Sequence, residues 1–380
     1  MEVAAWLGLF FLWPAPVKKD KNGKPVLPVV SKKKILGVER AIDLPQEQIP
    51  KIEKAMAEME RGIDDCEHCW FDSCFQGAKL HYRKFLPKGP VKGIVIWFHG
   101  IAAHSGRSLV LDEEGGKEKK FGMALQKERW LKAGYALYAL DYLGHGYSEG
   151  IRFYVPGFET NRDDNIAFTK HVASLHPEGT PLFLTGESYG GCLTLHVAKH
   201  FQDNPADTPK GFNSILLLGA AVIPADLPPK PVVSLLLQLS LYYPTWIPFF
   251  MPNPVSADLV WRDKRVLDVF DSKERRAFGI DGGGRPFRLA TASGMLEALQ
   301  QVREDIIPTL TVPFCVLHGV KDYAVPISSM EFLLEHAATP EADRESKRFP
   351  EAYHDLLNDP VADETMDIMI NFVEKRVAAA

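Results

Sequence analysis

The sequence predicts an α/β architecture: a mostly parallel central sheet flanked by helices, with an inserted helical cap domain. Three observations lead there. First, short and continuously apolar runs recur along the chain, bounded by glycine or proline, as strands buried on both faces of a sheet require. Second, each run ends in a turn bearing glycine, histidine or aspartate. After "PLFLTGES" the chain passes directly into "YGGCLTLHVAKHF", with Cys192, Leu195, Val197 and Phe201 at helical spacing. Third, a segment in the second half opens with clustered prolines and then reads apolar on every side, unlike anything around it.

Residues 1–64 form an extension. "VAAWLGLFFLW" is too short to span a bilayer as a helix, which takes about 20 residues. It is preceded by Glu2 where a signal peptide carries basic residues. Its tryptophans and phenylalanines suit the membrane interface, and seven lysines follow between Lys18 and Lys34, against one aspartate. Each such cation is worth about 1 kcal/mol near an anionic leaflet. The expected placement is therefore cytoplasmic and peripheral, on a membrane surface. "QEQIPKIEKAMAEMERG" sets Ile52, Met56 and Met59 on one helical face, with Gly62 as a stop.

Residues 65–222 and 296–380 are the two parts of the core. "CEHCWFDSC" raises the question of metal, since Cys66, His68, Cys69 and Cys74 are all potential ligands. No second pair with metal spacing follows, and "FDSCFQGAKLHYRKFLP" reads as a hairpin with Cys74 in a strand, the thiols being expected as a reduced or redox-sensitive cluster. "KGIVIWFHG" and "GYALYALD" are strands; "LDEEGGKEKK" between them reads as a solvated loop. Residues 223–295 form the inserted segment expected as the cap, with "VVSLLLQLSLYYPTWIPFFMP" facing the core or a lipid surface and "DGGGRPF" a flexible loop. "TVPFCVLHG" is another strand. The last helix, "ETMDIMINFVEK", presents Met366, Met369, Ile370 and Val373 to the core.

"GESYGG" is a nucleophile elbow: a serine on a tight strand-to-helix turn that flanking glycines make sterically possible. In open α/β sheets, catalytic groups gather beyond the carboxyl ends of strands. Asp322 follows "TVPFCVLHG" and His354 follows "KRFPEAYHD", giving the chain order Ser188, Asp322, His354 of an α/β-hydrolase. An epoxide hydrolase or dehalogenase would carry aspartate at position 188. The net charge of −5 gives no reason to invoke nucleic acid.

Taken with "FHGIAAHSGR", "LDYLGHGYSEG", "LTVPFCVLHGVKDYAVP" and "AYHDLLNDP", the chain resembles the monoacylglycerol lipases of the α/β-hydrolase fold, from about Trp70 to Arg376. It departs from the animal members at Glu187 and Tyr189, where they have histidine and methionine. The glutamate is familiar from plant relatives of the group, some acting on caffeoyl esters. The resemblance implies a serine ester hydrolase acting on monoacylglycerol through an acyl-enzyme, with a lysophospholipid or phenolic ester as the alternative substrate. A receptor or scaffold that keeps the fold is the non-enzyme alternative. Ser188 would attack, His354 would shuttle the proton and Asp322 would orient His354. The backbone amides of Ile101 and Tyr189 would hold the oxyanion, and Gly100 would allow close approach. His99 and His104 would orient that loop by hydrogen bonds rather than transfer protons. No cofactor or metal is implied, and the oligomeric state is left open.

Overall fold

The computed structural model describes residues 32–35, 38–41, 60–224, 227–249, 251, 256–272 and 286–379. The apolar amino-terminal segment, most of the lysine-rich stretch, the helix expected over residues 46–59 and the glycines of "DGGGRPF" lie outside them. Strands β1 (Lys32–Ile35) and β2 (Val38–Ala41) form a separate antiparallel hairpin.

The apolar runs become the sheet. In chain order the strands are β3 (Glu67–Asp72), β4 (Lys79–Phe85), β5 (Gly93–Phe98), β6 (Ser108–Glu113), β7 (Lys117–Phe121), β8 (Tyr135–Leu140), β9 (Leu182–Glu187), β10 (Phe212–Leu218), β11 (Phe314–Gly319) and β12 (Arg344–Phe349). Eight of these form one sheet in the order β12-β11-β10-β9-β5-β8-β4-β3. Every neighbouring pair from β12 across to β8 is parallel, while β4 and β3 add an antiparallel edge.

Alternation along β5 shows why these strands read as unbroken apolar runs. Ile94, Ile96 and Phe98 enter one hydrophobic cluster, and Val95 and Trp97 enter the other. Both sheet faces are covered, so neither set of side chains can be polar. Full burial of such a side chain contributes about 1.5–3 kcal/mol. One face is covered by helices that include α1 (Gly122–Ala133), the other by α2 (Phe158–Ser174) and α3 (Tyr189–Asp203). The inserted segment holds α4 (Lys230–Tyr242), α5 (Ala257–Val260) and α6 (Lys264–Phe270), and α7 (Leu289–Gln301) leads back to the core. Helices α8 (Ser328–His336) and α9 (Ala362–Ala379) follow. In α9, Met366, Met369 and Val373 are fully buried.

Three local expectations are corrected. "LDEEGGKEKK" is not a loop but most of the antiparallel β6–β7 hairpin, which turns at Gly115 and Gly116. Its strands carry charges because their outer ends are solvated. Cys74 is not in a strand; it sits exposed in the turn between β3 and β4. Nor do the thiols cluster. Cys66 packs on one face of the sheet and Cys69 on the other, as the two-residue period of a strand dictates.

Because β5, β9 and β11 run parallel, the loops that leave their carboxyl ends emerge on one edge of the sheet. His99, Ser188 and Asp322 lie on those loops.

Candidate active site

Ser188 joins β9 to α3 with φ 54° and ψ −122°, a conformation that non-glycine residues rarely adopt. Strain of this kind costs on the order of 1–3 kcal/mol and persists only where the surroundings fix it. Here the Ser188 amide donates to the Leu218 carbonyl (3.0 Å), and its carbonyl accepts from the Ala221 amide (2.9 Å). The turn leaves no room beside it. A Cβ on Gly190 would lie 2.1 Å from the Phe98 carbonyl oxygen, so only glycine is possible. Gly100 faces the serine as well: a Cβ there would come 3.3 Å from Ser188 Cβ.

Asp322 lies in the turn after β11. Its Oδ1 accepts from the Ala324 and Val325 amides, both at 2.8 Å. Its Oδ2 lies 2.7 Å from His354 Nδ1 and 3.3 Å from His318 Nε2. Burial alone would raise the carboxyl pKa, but His354 and His318 hold it well below the usual range. For His354, burial disfavours the imidazolium, and the Asp322 carboxylate outweighs that and raises the pKa. With Nδ1 directed at Asp322, Nε2 is left as the basic nitrogen.

Ser188 and His354 line a common cavity of about 510 Å³. Leu236, Leu296, Leu299 and Val325 give it largely apolar walls, and the sequence-predicted Ile101 and Tyr189 also border it. Tyr189 opens α3, so its amide has no acceptor within the helix. Histidines fix the loop after β5. His99 Nδ1 donates to the Gly100 carbonyl (2.7 Å), and His99 Nε2 accepts from the Tyr142 amide (3.2 Å). His104 Nδ1 accepts from the Gly106 amide at 3.0 Å.

Sequence reasoning missed two supports of this loop. His145 accepts from the Ala102 amide at 3.2 Å, in the turn where Ala102 has φ 59°. Burial drives the His145 pKa down to about 3, so the ring is neutral and able to accept. Asp141, fully buried, accepts from the Ser105 amide (2.6 Å), the Tyr147 amide (3.0 Å) and His81 Nδ1 (2.8 Å). It thereby ties two loops together. Both residues stand in "LDYLGHGYSEG", but nothing in that string says which loop they hold.

Fold and site together define an α/β hydrolase. The family model described as serine aminopeptidase, S33, matches residues 115–361, and the chain belongs to that family. Among curated relatives, the caffeoylshikimate esterase of Arabidopsis thaliana is 31% identical over 299 residues, 77% of this chain and 80% of that one. The monoacylglycerol lipase of Mycolicibacterium smegmatis is 25% identical, covering 78% of this chain and 93% of that one. Among solved structures, a soluble variant of monoglyceride lipase from Saccharomyces cerevisiae, in complex with a substrate analogue, superposes with a TM-score of 0.62. It is 18% identical and is covered over 96% of its length, with 82% of this chain, which supports the fold alone.

Proposed function

We propose that the protein is a serine ester hydrolase that cleaves monoacylglycerol to fatty acid and glycerol through an acyl-enzyme. The observation that carries this reading is Ser188, in its strained elbow, facing a largely apolar cavity that His354 also lines. Ser188 attacks the ester carbonyl as His354 Nε2 takes its proton; Asp322 fixes the imidazole tautomer and stabilises the imidazolium. The amides of Ile101 and Tyr189 receive the oxyanion. His354 then returns the proton to the leaving alcohol, and water repeats the sequence on the acyl-enzyme.

Residues 223–295 act as the cap. Leu236 and Val233 on α4 border the cavity, while Leu235, Leu241, Tyr242 and Phe249 are exposed, Phe249 at 85%. An outward apolar surface of this kind supports docking on a membrane, from which the substrate would be drawn. No helix among the described residues is long and apolar enough to cross a membrane.

A second reading, a phenolic-ester esterase, is favoured by one observation: the caffeoylshikimate esterase relative is more similar to this chain than the monoacylglycerol lipase one, 31% against 25%. Turnover of monoacylglycerols of rising acyl length, lysophosphatidylcholine and chlorogenate separates the two. Each methylene buried in the cavity contributes about 0.8 kcal/mol, so kcat/KM should climb with acyl length until the cavity is full. A flat profile with fast chlorogenate turnover would replace the lipid reading with the phenolic one.

A further inference from the structure

The residue before the elbow serine and the residue after His354 meet. Glu187 and Asp355 are both buried, at 8% and 2% exposure, and both border the main cavity. They also border a small cavity of about 20 Å³ behind the loop after β5. Donors converge on Asp355: Trp261 Nε1 at 2.8 Å, Asn358 Nδ2 at 2.9 Å from each oxygen, and the Arg107 guanidinium at 3.6 Å. The two carboxyls border the same small cavity, and like charges buried there keep a proton on one of them, which falls to Glu187. Its pKa is raised well above the ordinary value, by burial first and by Asp355 second.

Resting on the ester-hydrolase reading, we propose that Glu187 is a positioning residue. As a neutral acid it donates a hydrogen bond to the Asp355 carboxylate and so braces the Ser188 turn against the His354 loop. Trp261 belongs to the inserted segment, so its bond to Asp355 joins that segment to the same brace. Arg107 lies over the Trp261 ring at 5.5 Å, which places the compensating cation at the junction. Among the described residues, the charged and titratable groups around Glu187 include His354 and Asp355 after β12, Asp322 after β11, and Arg107, His99 and His104 after β5. Raising the pH ionises Glu187 beside Asp355, and repulsion opens the brace.

The test compares Glu187→Gln and Glu187→Leu with the parent, reading kcat and KM separately, the rate of fluorophosphonate labelling at Ser188 across pH, and the melting temperature. Glutamine keeps a neutral donor. Its kcat and labelling rate should stay within about threefold of the parent at neutral pH, and it should lose less activity than the parent in alkali. Leucine keeps volume without the donor, and should lower kcat and labelling by about tenfold or more with KM little changed. Glutamine falling as far as leucine, or leucine matching the parent, overturns the brace. If leucine does not fold, the glutamine pH profile decides alone: a profile identical to the parent's overturns it. A parent that labels briskly while the variants fail these expectations leaves the hydrolase reading intact. A parent that does not label overturns both.

Discussion

His354 Nδ1 and Asp322 Oδ2 are 2.7 Å apart, and the other oxygen of the same carboxylate is held by the amides of Ala324 and Val325. Asp322 therefore cannot swing away from the imidazole without breaking two further bonds. Asp322→Asn should favour the wrong His354 tautomer and lower kcat by about 10⁴-fold. The sign of the pH effect follows from the raised His354 pKa: in the proposed mechanism activity needs the neutral ring, so it should rise as pH passes upward through that pKa. Without the carboxylate the pKa falls, and the acid limb of any residual activity should move to lower pH.

Ser188→Ala should abolish ester hydrolysis with the melting temperature kept, since loss of a triad serine costs on the order of 10⁶ in kcat. Activity within tenfold of the parent would mean that another group attacks the ester.

Gly190→Ala should be destabilising in a way Ser188→Ala is not. The added methyl would sit 2.1 Å from the Phe98 carbonyl oxygen, which belongs to the centre of the sheet and cannot yield. A loss of several kcal/mol is expected, in the upper range for single substitutions. Denaturant unfolding measures it; a loss under about 1 kcal/mol would show that the elbow can relax.

Replacing Leu241, Tyr242 and Phe249 together by serine should reduce cosedimentation with vesicles by tenfold or more, since each buried apolar side chain contributes about 1.5–3 kcal/mol. Hydrolysis of a water-soluble ester should stay within twofold. Deleting residues 1–34 should weaken binding mainly on anionic vesicles at low salt. Unchanged binding in both variants would remove the membrane from the proposal.

The parts legible in the sequence are those that local sterics dictate. β5, β8, β9 and β11 must be apolar on both faces, and the Ser188 elbow must be flanked by glycine, so both leave patterns within a few residues. The β6–β7 hairpin was hidden because its strands carry solvated lysines and glutamates, the composition of a loop. The partners of Asp355 were hidden for a different reason. Trp261 and Arg107 come from remote segments, and no local period announces a contact made by folding. Cys66 and Cys69 show the converse, since a two-residue strand period would have separated them.

The order of the sheet leaves β3 and β12 as its two outermost strands, each with one row of backbone amides and carbonyls that no neighbouring strand takes up among the described residues. Such edges invite another chain to add itself on. The β12 strand reads "RESKRF", with Glu345 bonded to Lys375 at 2.7 Å and Lys347 to Glu364 at 2.9 Å. β3 presents Glu67 and Asp72, each paired with a lysine of β4. Adding a strand at either end would force like charges together or strip these ion pairs of water. The sheet thus carries its own guard against fibril growth, and self-association is expected at the exposed Leu235, Leu241 and Tyr242 of α4 before it occurs at the strands.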